Sequence, residues 1–249
     1  MISVSTYETI WEPSFVEAKR NHSYNTTAPE ALARTASYFL RNHASELPEV
    51  PSVLDLGCGA GETLVYFARR GFNLFGIDIA PTAVELAKQN LADNGHLRQV
   101  RDLRVGSIVQ LPYDDNSFDL CTEAMVFQHL EPEDRRPTLK EIRRVLRPGG
   151  ALIAYGHARE GHTVFNKYKH TEHPSDPGSI TLRDPGAKLT DVENIGLVHF
   201  FSREEWEALL SDFSSADLML ETYQLPREEA RRRGYDEYQR AHWIVYARK

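Results

Sequence analysis

From about residue 50 onward, short apolar runs bounded by glycine and proline alternate with segments of helical periodicity. Such alternation is typical of βαβ units, because a chain that returns through a helix can add a strand parallel to the last one. The sequence therefore predicts an α/β fold around a mostly parallel sheet. The predicted strands cover residues 51–56, 72–77, 103–105, 117–125, 151–155, 218–223 and 242–247.

Two segments depart from this alternation. Residues 1–49 are helical in character and predict an N-terminal helical cover. Residues 157–201 contain turn signals at 176–178 and 184–186, and we interpret them as a long substrate-side loop inserted after the fifth strand. Residues 50–249 are expected to form one domain that carries this insertion.

Composition excludes several classes of protein. The net charge of −7 offers no field that would gather nucleic acid, so no nucleic-acid partner is expected. No apolar run approaches the roughly 20 residues that span a bilayer, and we expect a soluble, unprocessed protein with no membrane partner. Cys58 and Cys121 lie in apolar stretches without paired spacing, which indicates free thiols in a reducing cytoplasm. A monomer or a homodimer is expected.

A glycine-rich turn follows the first predicted strand. Gly57, Gly59 and Gly61 lie where the strand turns into a helix, so backbone can approach a ligand closely. The dinucleotide pattern G-x-G-x-x-G would need a third glycine at the position of Glu62. A carboxylate there competes with a pyrophosphate, and Asp55 adds a second negative charge. The turn therefore favours a nucleotide-like ligand with a positive end.

The sequence D-L-G-C-G-A-G at residues 55–61 resembles the first motif of the class I S-adenosylmethionine-dependent methyltransferases. Asp78, 21 residues after Gly57, has the spacing of a ribose-binding carboxylate. Residues 106–120 are similar to the adenine loop of that family, and residues 144–150 to its turn before the fifth strand. The resemblance covers residues 50–156, and residues 199–204 resemble a segment of members with small-molecule substrates.

This resemblance implies a Rossmann-like, doubly wound sheet of seven strands with the last strand antiparallel and helices on both faces. It also implies S-adenosylmethionine as cofactor and S-adenosylhomocysteine as product. Asp55 would anchor the methionine amino group through water or directly, and the three glycines would form the floor beneath it. Asp78 with Ile79 would bind the ribose. Ser107 and Ile108 would contact adenine, where the family often has an acidic residue.

Other candidates come from the carboxyl ends of the predicted strands, where open α/β sheets bind ligands. Glu123 would face the sulfonium or an acceptor amine. Methyl transfer is expected as an in-line displacement, which needs a base only if the acceptor is protonated. His129 is the first candidate base, followed by His157 and Tyr155. His129 is alternatively a structural histidine that bonds backbone.

No metal site is expected, because the histidines at 157, 162, 170 and 173 have irregular spacing and no cysteine partners. Tyr7, Trp11 and Tyr24 would either roof the cofactor or bury an amphipathic cover. The preferred partner is a small-molecule methyl acceptor under a lid formed by the insertion. Three alternatives are a macromolecular methyltransferase, a non-catalytic S-adenosylmethionine-binding regulator and a nicotinamide oxidoreductase.

Overall fold

A computed structural model describes residues 4–182 and 196–249. Within these ranges the helices are α1 (Val4–Asn21), α2 (Glu30–His43), α3 (Glu62–Ala68), α4 (Pro81–Asp93), α5 (Pro132–Val145), α6 (Thr163–Tyr168), α7 (Arg203–Leu209) and α8 (Arg227–Arg232). The strands are β1 (Ser52–Leu56), β2 (Asn73–Asp78), β3 (Val100–Val105), β4 (Phe118–Ala124), β5 (Leu146–His157), β6 (Glu172–His173), β7 (Asp176–Leu182), β8 (Gly196–His199), β9 (Ser215–Gln224) and β10 (Gln239–Arg248).

The main sheet has seven strands in the order β3-β2-β1-β4-β5-β10-β9. Strands β1 to β5 pair in parallel, whereas β10 is antiparallel to both of its neighbours, β5 and β9. This order confirms the predicted doubly wound sheet with an antiparallel last strand. Because β10 runs in the opposite direction, its first residues lie at the sheet edge where the parallel strands end.

Helices cover both faces of this sheet, and β1 is buried along its whole length. On one face, Phe39 of α2 and Phe67 of α3 belong to one apolar cluster with residues of β1, β2 and β5. On the other face, Ile142 of α5 and Trp206 of α7 form a second apolar cluster with residues of β1, β4 and β10. Burial on both faces explains why the central strands have continuous apolar sequences rather than alternating ones.

Some predicted strand boundaries are wrong. Strand β5 begins directly after α5, so the predicted turn at 148–150 lies within the strand, where Gly149 adopts a φ of +76°. Strand β3 begins at Val100, three residues before the predicted start. It is an edge strand, and its charged residues are tolerated because Arg101 donates to Asn73 and Arg104 pairs with Asp102.

The interpretation of residues 157–201 as a loop is also wrong. This segment contains α6 and a second sheet of three antiparallel strands in the order β6-β7-β8. Its own core includes Phe165, Ile180 and Phe200, together with Tyr238 from the end of the chain. The predicted turn at 176–178 lies at the start of β7. The predicted turn at 184–186 lies outside the described residues.

The N-terminal helices take two different positions. Helix α2 packs on the sheet beside β5 and β10, whereas α1 lies at the carboxyl edge of the parallel strands. Glu12 of α1 accepts a hydrogen bond from the Thr82 N–H at 3.0 Å, and Tyr7 donates to Asp134 at 2.9 Å. These bonds tie α1 to α4 and α5, so the helix spans the ligand edge of the sheet. No helix in the described ranges is long and apolar enough to cross a bilayer.

Candidate functional site

A cavity of about 900 Å³ lies at the carboxyl edge of the parallel strands, beneath α1 and the segment that follows it. The first turns after β1 and β2 form one end of it, and the ends of β4 and β5 and the start of β10 form the other. Tyr7, Trp11 and Tyr24 all line this cavity, as does Phe15. The N-terminal aromatic residues therefore contribute to its roof.

The glycine turn positions the backbone at the first end. Gly57, Gly59 and Gly61 have φ values of +66°, +51° and +79°, a region that side chains rarely adopt. Gly57 and Gly59 line the cavity, whereas Gly61 does not. A Cβ at Gly61 would lie 3.0 Å from the Ala87 Cα, so this glycine allows α3 and α4 to approach each other. The structure thus gives Gly61 a packing role.

Asp78 ends β2 and lines the same part of the cavity. Its carboxylate accepts hydrogen bonds of 2.9 Å from the N–H groups of Gly59 and Ala80. Burial raises the pKa of Asp78 to about 6. Each carboxylate oxygen has a further lone pair, so Asp78 can still accept hydroxyl groups from a ligand.

The predicted neighbours of Asp78 are also at the cavity surface. Ile79, Ser107 and Ile108 all line it. The Ser107 hydroxyl accepts a hydrogen bond of 3.2 Å from the Val109 N–H, and Ile108 is buried. A largely apolar wall of this kind suits the flat face of a nucleobase.

Asp55 and Glu123 are not among the residues that line the cavity. The Asp55 carboxyl is buried and accepts a hydrogen bond of 2.7 Å from the Thr122 hydroxyl. Glu123 is fully buried and accepts hydrogen bonds from the N–H groups of Val126 and Phe127 at 2.9 and 3.3 Å. The Glu123 carboxylate thus holds the turn after β4, and the Asp55 carboxyl joins β1 to β4.

Glu62 is a cavity residue that the sequence analysis used only to exclude a pyrophosphate. It begins α3 and lines the cavity, and its Oε2 atom is buried without a hydrogen-bond partner among the described residues. Burial raises the pKa of Glu62 to about 7. An unpartnered buried carboxylate oxygen is costly, and a cationic ligand would remove that cost.

His129, Tyr155 and His157, the three candidate bases, are brought together in the cavity wall. The His129 Nδ1 atom lies 3.1 Å from the Leu197 carbonyl oxygen, which assigns the proton to Nδ1 and leaves a lone pair on Nε2. Burial lowers the pKa of His129 to about 4, so the ring is neutral. Gln128 lies between the two histidines: its Oε1 accepts from the His157 N–H at 2.9 Å.

Tyr155 and His157 continue this wall along β5. The Tyr155 hydroxyl lies 2.9 Å from His242 Nδ1 and 3.2 Å from Glu221 Oε2. Burial, followed by the negative charge of Glu221, raises the pKa of Tyr155, so the phenol is a hydrogen-bond donor rather than a base at neutral pH. His157 stacks between Phe200 and His242, and burial holds its pKa well below the usual range.

Several cavity residues were missed by the sequence analysis. Gln128 and Met125 follow β4, and Met125 has a φ of +66°, a strained conformation of the kind that clusters at functional sites. Tyr238, Arg240 and His242 come from the start of β10. A sequence-based pairing of β10 antiparallel to β5 would have identified these residues. In the structure, His242 is the register partner of His157, which places the start of β10 at the ligand edge.

Comparison with known proteins gives consistent results. Residues 54–154 match the family model described as a methyltransferase domain. The chain is 31% identical over 190 residues to 2-heptyl-1-hydroxyquinolin-4(1H)-one methyltransferase of Mycobacteroides abscessus, covering 72% of this chain and 79% of that protein. It is 32% identical over 110 residues to sterol 4-C-methyltransferase strm-1 of Caenorhabditis elegans, of which it covers 32%. The chain spans only about a third to a half of the length of this protein and of two other curated relatives, from 32% to 50%.

Solved structures share the fold. An S-adenosylmethionine-dependent methyltransferase from Methanosarcina mazei matches with a TM-score of 0.64 and 25% identity, over 82% of this chain and 95% of that one. The 1,6-didemethyltoxoflavin-N1-methyltransferase of Burkholderia thailandensis, solved with S-adenosylhomocysteine, matches with a TM-score of 0.61 and 19% identity. That match covers all of this chain and 91% of the other.

The sheet order and the glycine turn define a Rossmann-like nucleoside-binding protein. The chain belongs to the class I S-adenosylmethionine-dependent methyltransferases. The residues of the cavity fit this cofactor, because the unpartnered Glu62 oxygen and the Asp78 carboxyl suit a cationic nucleoside and not a pyrophosphate. When bound, the cofactor supplies a methyl group on a positively charged sulfur.

We expect the affinity for S-adenosylmethionine to rise from about pH 5.5 to about pH 8. The pKa values of Glu62 and Asp78 are raised to about 7 and about 6, and a cation stabilises the ionised carboxyls. Binding therefore releases protons, and affinity increases until both groups are ionised in the free protein. Calorimetry in two buffers of different ionisation enthalpy measures this release.

The Glu62→Gln variant is expected to lose most of the proton release. S-adenosylhomocysteine, which lacks the sulfonium charge, serves as a matched ligand and should release fewer protons. A pH-independent affinity, or equal release by Glu62→Gln and the unmodified protein, would contradict this account of Glu62.

Proposed function

We propose that the chain transfers a methyl group from S-adenosylmethionine to an oxygen or nitrogen atom of a small-molecule acceptor. The observation that carries this proposal is the extent of the cavity. It continues from the glycine turn and Asp78 past the ends of β4 and β5 to the start of β10, under the roof of α1. Its volume of about 900 Å³ is near the top of the range for small-molecule sites, which leaves room for an acceptor beside the cofactor.

The candidate site residues divide into two groups in this proposal. Gly57 and Gly59 hold the methionine part of the cofactor, Asp78 and Ile79 the ribose, and Ser107 and Ile108 the adenine. Gly61 and Glu123 act indirectly, through the close approach of α3 to α4 and through the turn after β4. Asp55 anchors the methionine amino group through water or directly. Residues 1–49 form the cover, and residues 50–249 form the methyltransferase domain with 157–201 as an insertion.

His129 is the proposed proton acceptor. Its Nδ1–H is held by the Leu197 carbonyl, and its Nε2 lone pair accepts a hydrogen bond of 3.3 Å from the Gln128 side-chain amide, which the proton of the methyl acceptor would have to replace. Its pKa of about 4 makes His129 a weak base. It can take a proton from an amine, which becomes positively charged as it receives the methyl group, whereas an acceptor that arrives ionised needs no base. Tyr155 donates its hydroxyl proton to Glu221 and forms part of the wall against which the acceptor lies. The free, buried Cys58 and Cys121 support a cytoplasmic enzyme.

The test uses the methyl-labelled cofactor and the full chain. Labelling of a small-molecule extract, with none of purified RNA or protein, is the expected result. Labelling of the macromolecular fractions alone would favour the macromolecular alternative. Cofactor binding by calorimetry without any labelling would favour a non-catalytic regulator, and binding of NAD in place of S-adenosylmethionine would favour an oxidoreductase.

Replacing Asp78 with asparagine is expected to weaken cofactor binding by about 1 to 3 kcal/mol, or roughly 5- to 150-fold. The change removes a charged acceptor and turns an amide N–H₂ toward either the Gly59 N–H or the Ala80 N–H. Calorimetry with S-adenosylhomocysteine measures the loss. Asp114→Asn, at an exposed position outside the cavity, is the matched control and should bind normally. Equal affinities in the two variants would exclude Asp78 from the ribose site.

A further inference from the structure

The end of the cavity farthest from Asp78 carries a positive charge. Arg240 lines the cavity at the start of β10. Four strand spacings of about 4.8 Å separate β10 from β2, so the two ends of the site lie roughly 19 Å apart. The antiparallel direction of β10 brings Arg240 to the same edge of the sheet as the end of β5.

The Arg240 guanidinium forms no ion pair or hydrogen bond with any residue in the described ranges, although Arg240 is half-buried. Arg233 also lines the cavity, but its guanidinium is bound by Glu229 at 2.9 Å. The carboxylate on the neighbouring strand, Glu221, is bound by the Tyr155 hydroxyl. Of the two arginines that line the cavity, Arg240 is therefore the one whose guanidinium has no carboxylate partner among the described residues.

The ionisable rings near Arg240 are neutral. Burial, followed by His242 and Arg240, lowers the pKa of His162 to about 3, and burial followed by Arg240 lowers that of His242 to about 4, so these rings do not share the positive charge at neutral pH. His157 and Tyr155, on the adjacent strand β5, are also uncharged there. A half-buried cation beside neutral rings favours an anion, because its charge is only partly screened by solvent.

The two ends of the cavity thus have opposite charges. Glu62 and Asp78 lie at the cofactor end, and Arg240 lies at the acceptor end. The walls between them carry aromatic rings, including Trp11 in edge contact with His129. Such walls fit a planar molecule.

We propose that the methyl acceptor is a planar molecule carrying an ionised oxygen, a carboxylate or an acidic ring hydroxyl, and that Arg240 binds this group and determines acceptor specificity. This inference rests on the proposed function, because it assigns the acceptor end of the same cavity.

The experiment compares matched probes on the full chain saturated with S-adenosylhomocysteine. One pair is 2-naphthoate and 2-naphthamide, and the other is 4-nitrophenol, ionised at mildly alkaline pH, and 4-nitroanisole. We expect at least one anion to bind about tenfold or more tightly than its neutral partner, as measured by calorimetry. The pair that shows this preference distinguishes a carboxylate from a ring hydroxyl.

Arg240→Gln is expected to remove the preference, while Arg233→Gln, in which the lost guanidinium was already paired, should retain it. Equal binding of anion and neutral partner, binding of neither, or a preference that survives in Arg240→Gln would overturn the inference. S-adenosylhomocysteine binding is measured first in every variant. Its absence in the unmodified chain would contradict the proposed function, whereas intact cofactor binding without anion preference contradicts only the role of Arg240.

Discussion

Replacing Gly57 with alanine is expected to reduce cofactor binding by two orders of magnitude or more and to destabilise the fold by roughly 2 to 5 kcal/mol. Gly57 has a φ of +66°, which costs an L-residue about 1 to 2 kcal/mol. The new Cβ would also lie 2.4 Å from the Val126 Cγ2 atom, far inside van der Waals contact. Either the glycine turn or the turn after β4 must move, and both line the cavity. Urea unfolding and calorimetry measure the two effects.

Two further variants separate backbone strain from the steric clash. Gly71→Ala is the matched control, because Gly71 has a φ of +81° and no atom lies within 4 Å of the position that its new methyl group would take. It should show only the backbone cost and should bind cofactor normally. Adding Val126→Ala to Gly57→Ala should recover part of the lost affinity. If Gly57→Ala bound cofactor as tightly as Gly71→Ala, the close contact with Val126 would have no functional importance.

The first half of the site could be predicted because its signals are local. Gly57, Gly59 and Asp78 belong to one βαβ unit, in which short spacing in sequence fixes proximity in space. The cap of α7 is equally local, because Ser202 lies three residues before Glu205 and its hydroxyl accepts a hydrogen bond from the Glu205 N–H. The burial of a side chain is harder to predict, since the motif does not show that the Asp55 carboxyl accepts a hydrogen bond from Thr122 of β4.

The second half of the site depends on contacts between distant parts of the chain. His129 is bound by Leu197 and His157 pairs with His242, and neither pair has a sequence signal. The small sheet of the insertion was missed for a related reason. Strand β6 has two residues and strand β8 has four, so neither presents a periodic pattern long enough to recognise.

Replacing Arg135 with methionine is expected to destabilise the protein by about 3 to 5 kcal/mol, the largest stability loss we expect from a single change outside the glycine turn. Arg135 of α5 is buried and donates two hydrogen bonds of 2.8 Å to Asp176 at the start of β7. Burial by itself raises the pKa of Asp176, but hydrogen bonds from His199, Arg135 and Ser179 hold it well below its usual range. Without Arg135 that carboxylate loses its bidentate partner.

Loss of the Arg135 guanidinium should also lower the rate of methyl transfer without weakening cofactor binding. Asp176, His199 and Glu205 have oxygen and nitrogen atoms within 4.8 Å of one another, a grouping that resembles a cation site. The Arg135 guanidinium takes the place of that cation, since it pairs with Asp176 and lies 3.6 Å from Glu205. It thereby fastens β7 and β8 to α5, and β8 carries the Leu197 carbonyl that fixes the His129 proton on Nδ1. Arg135→Met should therefore lower the rate of methyl transfer while leaving S-adenosylhomocysteine binding close to normal.

Arg34→Met provides the control for this prediction. Arg34 forms an ion pair with Glu30 on an exposed face of α2, where removal should cost less than about 1 kcal/mol and leave the transfer rate unchanged. Urea unfolding, calorimetry and the labelled-methyl assay applied to both variants distinguish the possible roles of Arg135. Equal losses of cofactor affinity and transfer rate in Arg135→Met would indicate general unfolding. If Arg135 links the insertion to His129, the transfer rate should fall while cofactor binding stays intact. Cofactor binding should be spared because the glycine turn lies two strands away from β5, at the end of which the insertion begins.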